Sequence, residues 1–319
     1  MSQAKTALTL GRATREAYGD ALLELGRQNR DVVAIDADLA KSTFSWTFGK
    51  HFPERFFNIG IQEANMVGMA SGLASSGKIP FISSFAAIVL CKGFDQLRMG
   101  AAYPHLNVKV AGSHGGISIG EDGVSQQSVE DVALACALPG FVVCIPADEH
   151  AMHSAVHAAA RHDGPVYLRL GRPKALIVHE PGVELEFGRA ITLREGDTLT
   201  IVANGLLVAQ ALLAADDLAS RGVDARVLDM HTVKPIDADS LETAARETGA
   251  FVVAEEHLHH GGLGSAVAAS LAARVPAPVE YVDLGDRYAE SGKPDDLLRK
   301  YELTAEAIVA AALRVLERK

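Results

Sequence analysis

A chain of 319 residues, 48% hydrophobic and 22% charged, carries the apolar mass for a large core, and its length suits two domains better than one. Its formal net charge of -10, with no Lys/Arg run to override it, makes nucleic acid and anionic lipid poor partners. No stretch approaches the roughly 18 uninterrupted apolar residues of a membrane span, and Met1 to Leu10 lacks a charged-then-apolar signal pattern, so the expected location is cytoplasmic.

Short β-branched or aromatic runs at Val32 to Ile35, Phe56 to Ile59, Val108 to Ala111, Phe141 to Ile145 and Val166 to Leu170 predict buried strands. They alternate with helical patterns such as Tyr18, Ala21, Leu22 and Leu25, which argues for a parallel α/β arrangement. From Gly171 to Gly196 the pattern lapses into Gly, Pro and charged residues, which places a domain boundary there and divides the chain into residues 1–180 and 190–319. A second series follows, with strands at Leu199 to Ala203, Val223 to Asp229, Phe251 to Ala254 and Val279 to Leu284. Helices are expected at Leu206 to Ser220, Leu263 to Arg274 and Thr304 to Leu316. The fold class is therefore α/β, as two parallel-sheet domains.

Glu63 opens a helix whose Val67, Ala70 and Ala74 share its face, so a carboxyl group leads an apolar stripe. Burial there would raise its pKa, whereas a helix-start carboxylate favoured by the macrodipole would stay in solvent; spacing alone leaves both open. The stretch Gly112-Ser113-His114-Gly115-Gly116-Ile117-Ser118-Ile119-Gly120-Glu121-Asp122-Gly123 falls between a strand and a helix, where parallel α/β proteins place ligand loops. Its glycines would let the backbone approach a ligand, with His114 and Asp122 facing it; the alternative is a flexible surface loop. No Gly-Lys-Ser/Thr follows, so it is not a P-loop. Asp36 and Asp38 are read as loop-forming, since the phosphate-cradling glycines of a magnesium site do not accompany them, and His257, His259 and His260 as structural or subunit contacts, since their spacing matches no zinc pattern. No metal ligand is assigned within the chain. Cys91, Cys136 and Cys144 form no C-x-x-C pair and are expected to be reduced, buried packing residues.

Taken together, Ala13-Thr14-Arg15, Ser42-Thr43-Phe44-Ser45, Ile61-Gln62-Glu63-Ala64-Asn65-Met66, Ser84-Phe85-Ala86-Ala87, Phe94-Asp95-Gln96-Leu97-Arg98-Met99, the His114 loop and Leu170-Gly171-Arg172-Pro173 resemble the transketolase family in order and spacing. The likeness continues through Val233-Lys234-Pro235-Ile236-Asp237 and Gly261-Gly262-Leu263-Gly264 to Ser291-Gly292-Lys293-Pro294. It covers the pyrimidine-binding domain (1–180) and the C-terminal domain (190–319), but not the diphosphate-binding domain. The resemblance implies one subunit of a split transketolase, dependent on thiamine diphosphate and transferring a two-carbon ketol unit between sugar phosphates. A partner chain, the N-terminal-half subunit, would carry the diphosphate-binding domain and hold Mg2+ (or Ca2+), and the two would assemble as a heterotetramer.

The same resemblance assigns roles. Glu63 matches the glutamate that hydrogen-bonds the cofactor's aminopyrimidine ring, and Phe85 the aromatic packed on it. Ile88 stands where many relatives have a second aromatic, and the stretch to Asp95 is one residue longer. Arg15, Ser42 and Arg172 match the grip on the sugar's terminal phosphate, His114 a histidine near the reacting carbonyl, Asp122 a selector of a substrate hydroxyl, and Gln126 a variable substrate position. Three other readings compete. The beta subunit of a 2-oxo acid dehydrogenase shares the layout, but its substrates lack a distal phosphate. Deoxyxylulose-phosphate synthase is usually one uninterrupted chain. A non-catalytic scaffold that kept the fold is opposed by the retained Glu63 and anion-binding set.

Overall fold

The computed structural model describes residues 8–319; the amino-terminal reading over Met1 to Leu10 rests mostly on residues outside that range. In chain order the strands are β1 (Leu10–Ala13), β2 (Val32–Asp36), β3 (Phe56–Asn58), β4 (Ile79–Phe85), β5 (Lys109–Ser113), β6 (Val142–Cys144) and β7 (Val166–Arg169). They continue as β8 (Lys174–Leu176), β9 (Ile191–Arg194), β10 (Leu199–Ala203), β11 (Ala225–Asp229), β12 (Thr232–Lys234), β13 (Phe251–Ala254) and β14 (Val279–Val282).

The first sheet has the order β12-β6-β7-β5-β4-β2-β3 and is parallel from β6 to β3. Its central strands are buried along their whole length because helices cover both faces. Side chains alternate between those faces. Phe81 and Ala111 join Leu22 and Met152 under the helices Thr14–Gln28 and Glu149–Arg161. Ile82 and Val110 join Met66 and Leu90 under the helices Glu63–Ser75 and Ala86–Gln96.

The second sheet, β14-β13-β10-β11-β9, is parallel except for the antiparallel edge strand β9. Between β8 and β9, residues 177–190 form neither helix nor strand. The two units interlock. Strand β12 leaves the second unit and pairs antiparallel with β6, and one apolar cluster runs from Val110 and Ile145 to Val202, Leu228 and Phe251. Among the described residues no helix is long and apolar enough to cross a membrane.

The cysteine expectation needs correcting. Cys144 is buried in β6, but Cys91 is exposed, because the helix Ala86–Gln96 turns Val89, Leu90 and Gly93 to the core and Cys91 outward.

Candidate active site

Parallel strands end in loops along one edge, and that edge collects the candidate residues in the order of the sheet. Arg172 follows β7, His114 follows β5, Phe85 ends β4, Ser42 follows β2, and Glu63 follows β3. Arg15 arrives from outside the sheet, on the first turn of the helix Thr14–Gln28. That helix start is tied to the β7 loop by Gly171 N–H, which donates to Thr14 Oγ1 at 2.7 Å.

At the centre lies His114, 2% exposed, with backbone in the left-handed region at φ 63. An Arg15 NH1 group lies 3.3 Å from His114 Nε2. A guanidinium only donates, so Nε2 accepts, the ring proton sits on Nδ1, and Nδ1 donates to Ser113 Oγ at 2.7 Å. Burial, then Arg15 and Arg172, lower the His114 pKa to about 3, so the ring is neutral at any physiological pH. The Phe85 ring, 9% exposed, lies over it with centroids 3.9 Å apart and planes tilted by 30°.

Arg15 also donates to the Ser42 carbonyl at 2.9 Å and lies 5.4 Å from the Phe44 ring centroid. Its Nε is buried without a partner, and burial and the charge of Arg172 lower its pKa. Arg172 donates to the Ile119 carbonyl and to Glu121 Oε2, the latter at 3.1 Å. The result is two cations flanking a neutral imidazole, with the Arg15 guanidinium in no ion pair within 4.0 Å among the described residues. Such a pocket suits an anion with several oxygens.

Ser42 enters this cluster through its carbonyl rather than its hydroxyl. Its loop is held by Asp36, which is fully buried and accepts from Leu39 N, Thr43 Oγ1 and Ser45 Oγ at 2.6, 2.8 and 2.9 Å. Burial outweighs those bonds and pushes the Asp36 pKa up to about 6. The loop-forming reading of Asp36 agrees with this.

Glu63 is 3% exposed at the first position of its helix, so it is the buried carboxyl of the two readings. Among the described residues it makes no hydrogen bond, and its ion pair is a long one, to Lys92 Nζ at 3.9 Å. A bound group offering a ring nitrogen or amine at that helix start would give the carboxyl the hydrogen-bond partner that it lacks among the described residues. With Phe85 supplying a flat apolar wall on the same sheet edge, these residues fit the pyrimidine end of thiamine diphosphate. Ile88 is half-buried on the first turn after Phe85.

Asp122 is exposed and Gln126 half-buried, and among the described residues neither makes a hydrogen bond or ion pair with His114, Arg15 or Arg172. The polar group anchored there is the neighbouring Gln127, whose Nε2 donates to the Glu290 carbonyl at 2.9 Å. The glycine-rich loop is neither flexible surface nor a backbone opened to a ligand: residues 112–120 are buried. A Cβ at Gly116, where φ is +86°, would meet the Glu256 carboxyl at 2.1 Å, and one at Gly115 would meet Arg169 at 2.4 Å. Gly116 makes room for Glu256 of the second unit, and Gly115 for Arg169 at the end of β7 in the first. His257 is likewise structural, accepting from Ala133 N at 3.3 Å across the same boundary. Sequence reasoning missed Glu121, Ser113, Phe44 and Lys92, whose contacts depend on loops meeting in space.

The transketolase pyrimidine-binding domain family matches residues 11–176, and the transketolase C-terminal domain family residues 188–308. The 6-deoxy-6-sulfo-D-fructose transketolase subunit SqwH of Clostridium sp. is 43% identical over 305 residues, spanning 96% of this chain and 95% of that protein. A putative transketolase C-terminal section of Methanocaldococcus jannaschii is 41% identical over 307 residues, spanning 95% of each. A solved split-gene transketolase, described as an inactive beta4 tetramer, superposes with a TM-score of 0.89 at 48% identity, covering 96% of this chain and 99% of that one.

Proposed function

The chain belongs to the transketolase family, and from that premise we propose that it is the pyrimidine-domain subunit of a split, cytoplasmic transketolase acting on phosphorylated sugars. Its partner in this reading is an N-terminal-half subunit that brings the diphosphate-binding domain and Mg2+ (or Ca2+), in a heterotetramer. The observation that carries the substrate class is the convergence of Arg15 and Arg172 on a neutral His114, with Arg15 Nε left without a partner.

Thiamine diphosphate, when bound, supplies the nucleophilic carbon and the electron sink for the two-carbon unit. The chain's own residues position and exchange protons. Glu63 would place its carboxyl against a pyrimidine ring nitrogen, the position from which a proton can be exchanged with the ring. Phe85 offers its face to the pyrimidine, where an aromatic contact contributes about 1 kcal/mol beyond burial. Arg15 and Arg172 bind the terminal anion of the sugar, and the Ser42 loop fixes Arg15. Asp122 and Gln126 select sugar hydroxyls once the active-site mouth is completed by the partner. His114, neutral with its proton on Nδ1 toward Ser113, would offer Nε2 as acceptor to a sugar hydroxyl when Arg15 turns to the anion, without adding charge.

The test mixes the chain with a diphosphate-domain subunit, thiamine diphosphate and Mg2+, and follows ketol transfer from xylulose 5-phosphate to ribose 5-phosphate. Activity should require both chains and fall by about 100-fold or more in Glu63→Ala, as loss of acid–base assistance does. Activity of the chain alone would refute the split assembly, and full activity of Glu63→Ala would refute the catalytic assignment. Guanidinium pairs bind sulfonates as well as phosphates, so 6-deoxy-6-sulfo-D-fructose is the donor to run in parallel.

A further inference from the structure

Glu24 lies near the end of the helix Thr14–Gln28, beside the helix Glu149–Arg161, which carries His153 and His157. The four-residue spacing puts both imidazoles on one helical face, the arrangement by which a helix presents two nitrogens to one cation. Their ring centroids are 4.8 Å apart. His153 Nε2 is 2.8 Å from Glu24 Oε2, and His157 Nε2 is 3.9 Å from Glu24 Oε1. One ligand atom from each residue fits within a 4.8 Å span. His157 Nε2 is buried and takes no hydrogen bond, while Gln28 Nε2 donates to Glu24 Oε1 at 3.1 Å and steadies the carboxylate. The cluster opens on a surface depression of about 590 Å3 whose wall includes His150 and Glu184.

We propose that Glu24, His153 and His157 form a binding site for a zinc-like divalent cation that clamps these two helices together. Donor atoms around four-coordinate zinc stand about 3.3 Å apart, given bonds of about 2.0–2.1 Å. The two imidazoles stand 2.8 and 3.9 Å from different oxygens of the Glu24 carboxylate, and one donor from each residue fits within 4.8 Å, so rotamer shifts bring the set to that spacing. Two imidazoles and one carboxylate select Zn2+, Co2+, Ni2+ or Cu2+ over Mg2+ and Ca2+, which require mostly oxygen donors. Three protein donors leave one position for water. Burial lowers the His157 pKa and favours the unprotonated ring that a metal needs. The cation takes the place of the direct contact between His153 and Glu24. This site lies on the face of the first sheet opposite the helix that begins at Glu63, and its test does not depend on the ketol-transfer reading.

The untagged full-length chain, stripped with chelator, is titrated with Zn2+ by calorimetry and with Co2+ by its visible ligand-field absorption. Wild type should bind one equivalent of Zn2+, raising its unfolding temperature. His153→Ala, His157→Ala and Glu24→Gln should each weaken that binding at least tenfold while keeping the metal-free circular dichroism spectrum. If an alanine variant fails to fold, His153→Gln and His157→Gln replace it. Absence of saturable Zn2+ binding by wild type, or unchanged affinity and stoichiometry in the double histidine variant, overturns the site.

Discussion

Burial and two neighbouring guanidiniums hold His114 near pKa 3, against about 6.5 for an imidazole in an unfolded chain. Below that upper value the unfolded state takes up a proton that the native ring refuses, so this residue's contribution to stability is intact above pH ~6.5 and lost progressively as pH falls toward ~3. Asp36 acts in the opposite sense, because a carboxyl raised to about 6 keeps its proton longer in the native state and gains stability on acidification. The isolated effect is therefore a difference between proteins. His114→Gln removes one titration and leaves Asp36 in place, so its urea-unfolding free energy should fall less than that of wild type between about pH 7 and pH 4.5. Parallel losses would show that the native ring titrates normally. The roles that the family resemblance attached to Arg15, His114 and Arg172 could be named from sequence, but the reason His114 is neutral could not. It depends first on burial and then on Arg15 and Arg172, the former reaching across 99 residues of chain to Nε2.

At the scale of elements, strands with unbroken apolar runs were legible, and a central one was not. Strand β4 reads Ile-Pro-Phe-Ile-Ser-Ser-Phe, and its two serines interrupt the pattern although both are fully buried. Ser83 is satisfied by a 2.7 Å hydrogen bond with Tyr18 OH, a partner that appears only once the helix Thr14–Gln28 has docked. The helix Ala86–Gln96 that follows runs into a wider π-helical turn, Leu97–Ala102, where Tyr103 N–H reaches the Arg98 carbonyl at 2.9 Å. Such a turn accommodates one extra residue, and it lies beyond Asp95, past the stretch that the family resemblance marked as longer. The glycine-rich loop was legible as special but assigned to the wrong contact, because a glycine shows that something comes close without showing what. Here it is Glu256, whose Oε1 accepts from Ser118 N–H at 2.5 Å. Gly116→Ala adds a side chain in left-handed backbone against that carboxyl, and should destabilise by about 2–5 kcal/mol. A chemical-denaturation loss below about 0.5 kcal/mol would mean that the loop moves aside at little cost.

For the whole molecule, the question is whether the two sheets unfold together. Arg169 ends β7 in the first sheet, and its guanidinium makes a buried fork with Asp131 at 2.8 and 3.0 Å while also donating to the Glu256 carbonyl in the second unit at 3.0 Å. Asp131 takes a further hydrogen bond from Tyr167 OH at 2.5 Å. Strand β12 and the apolar cluster shared between the units add a second and third bond between the same two bodies. Unfolding one unit would expose the unpaired edge of β6 and half of that cluster, so the intermediate is costly and a single transition is expected. Trp46 is the one tryptophan and packs edge-on to Phe56 beside the first sheet, so its fluorescence reports that unit, whereas far-ultraviolet circular dichroism reports the helices of both. The two probes should give coincident midpoints in wild type. Arg169→Met leaves Asp131 buried without its cation, a loss of about 3–5 kcal/mol. Because the same guanidinium also binds across the boundary, both midpoints should fall together. A fluorescence midpoint that drops while the dichroism trace splits into two steps would show that the second unit stands without the first.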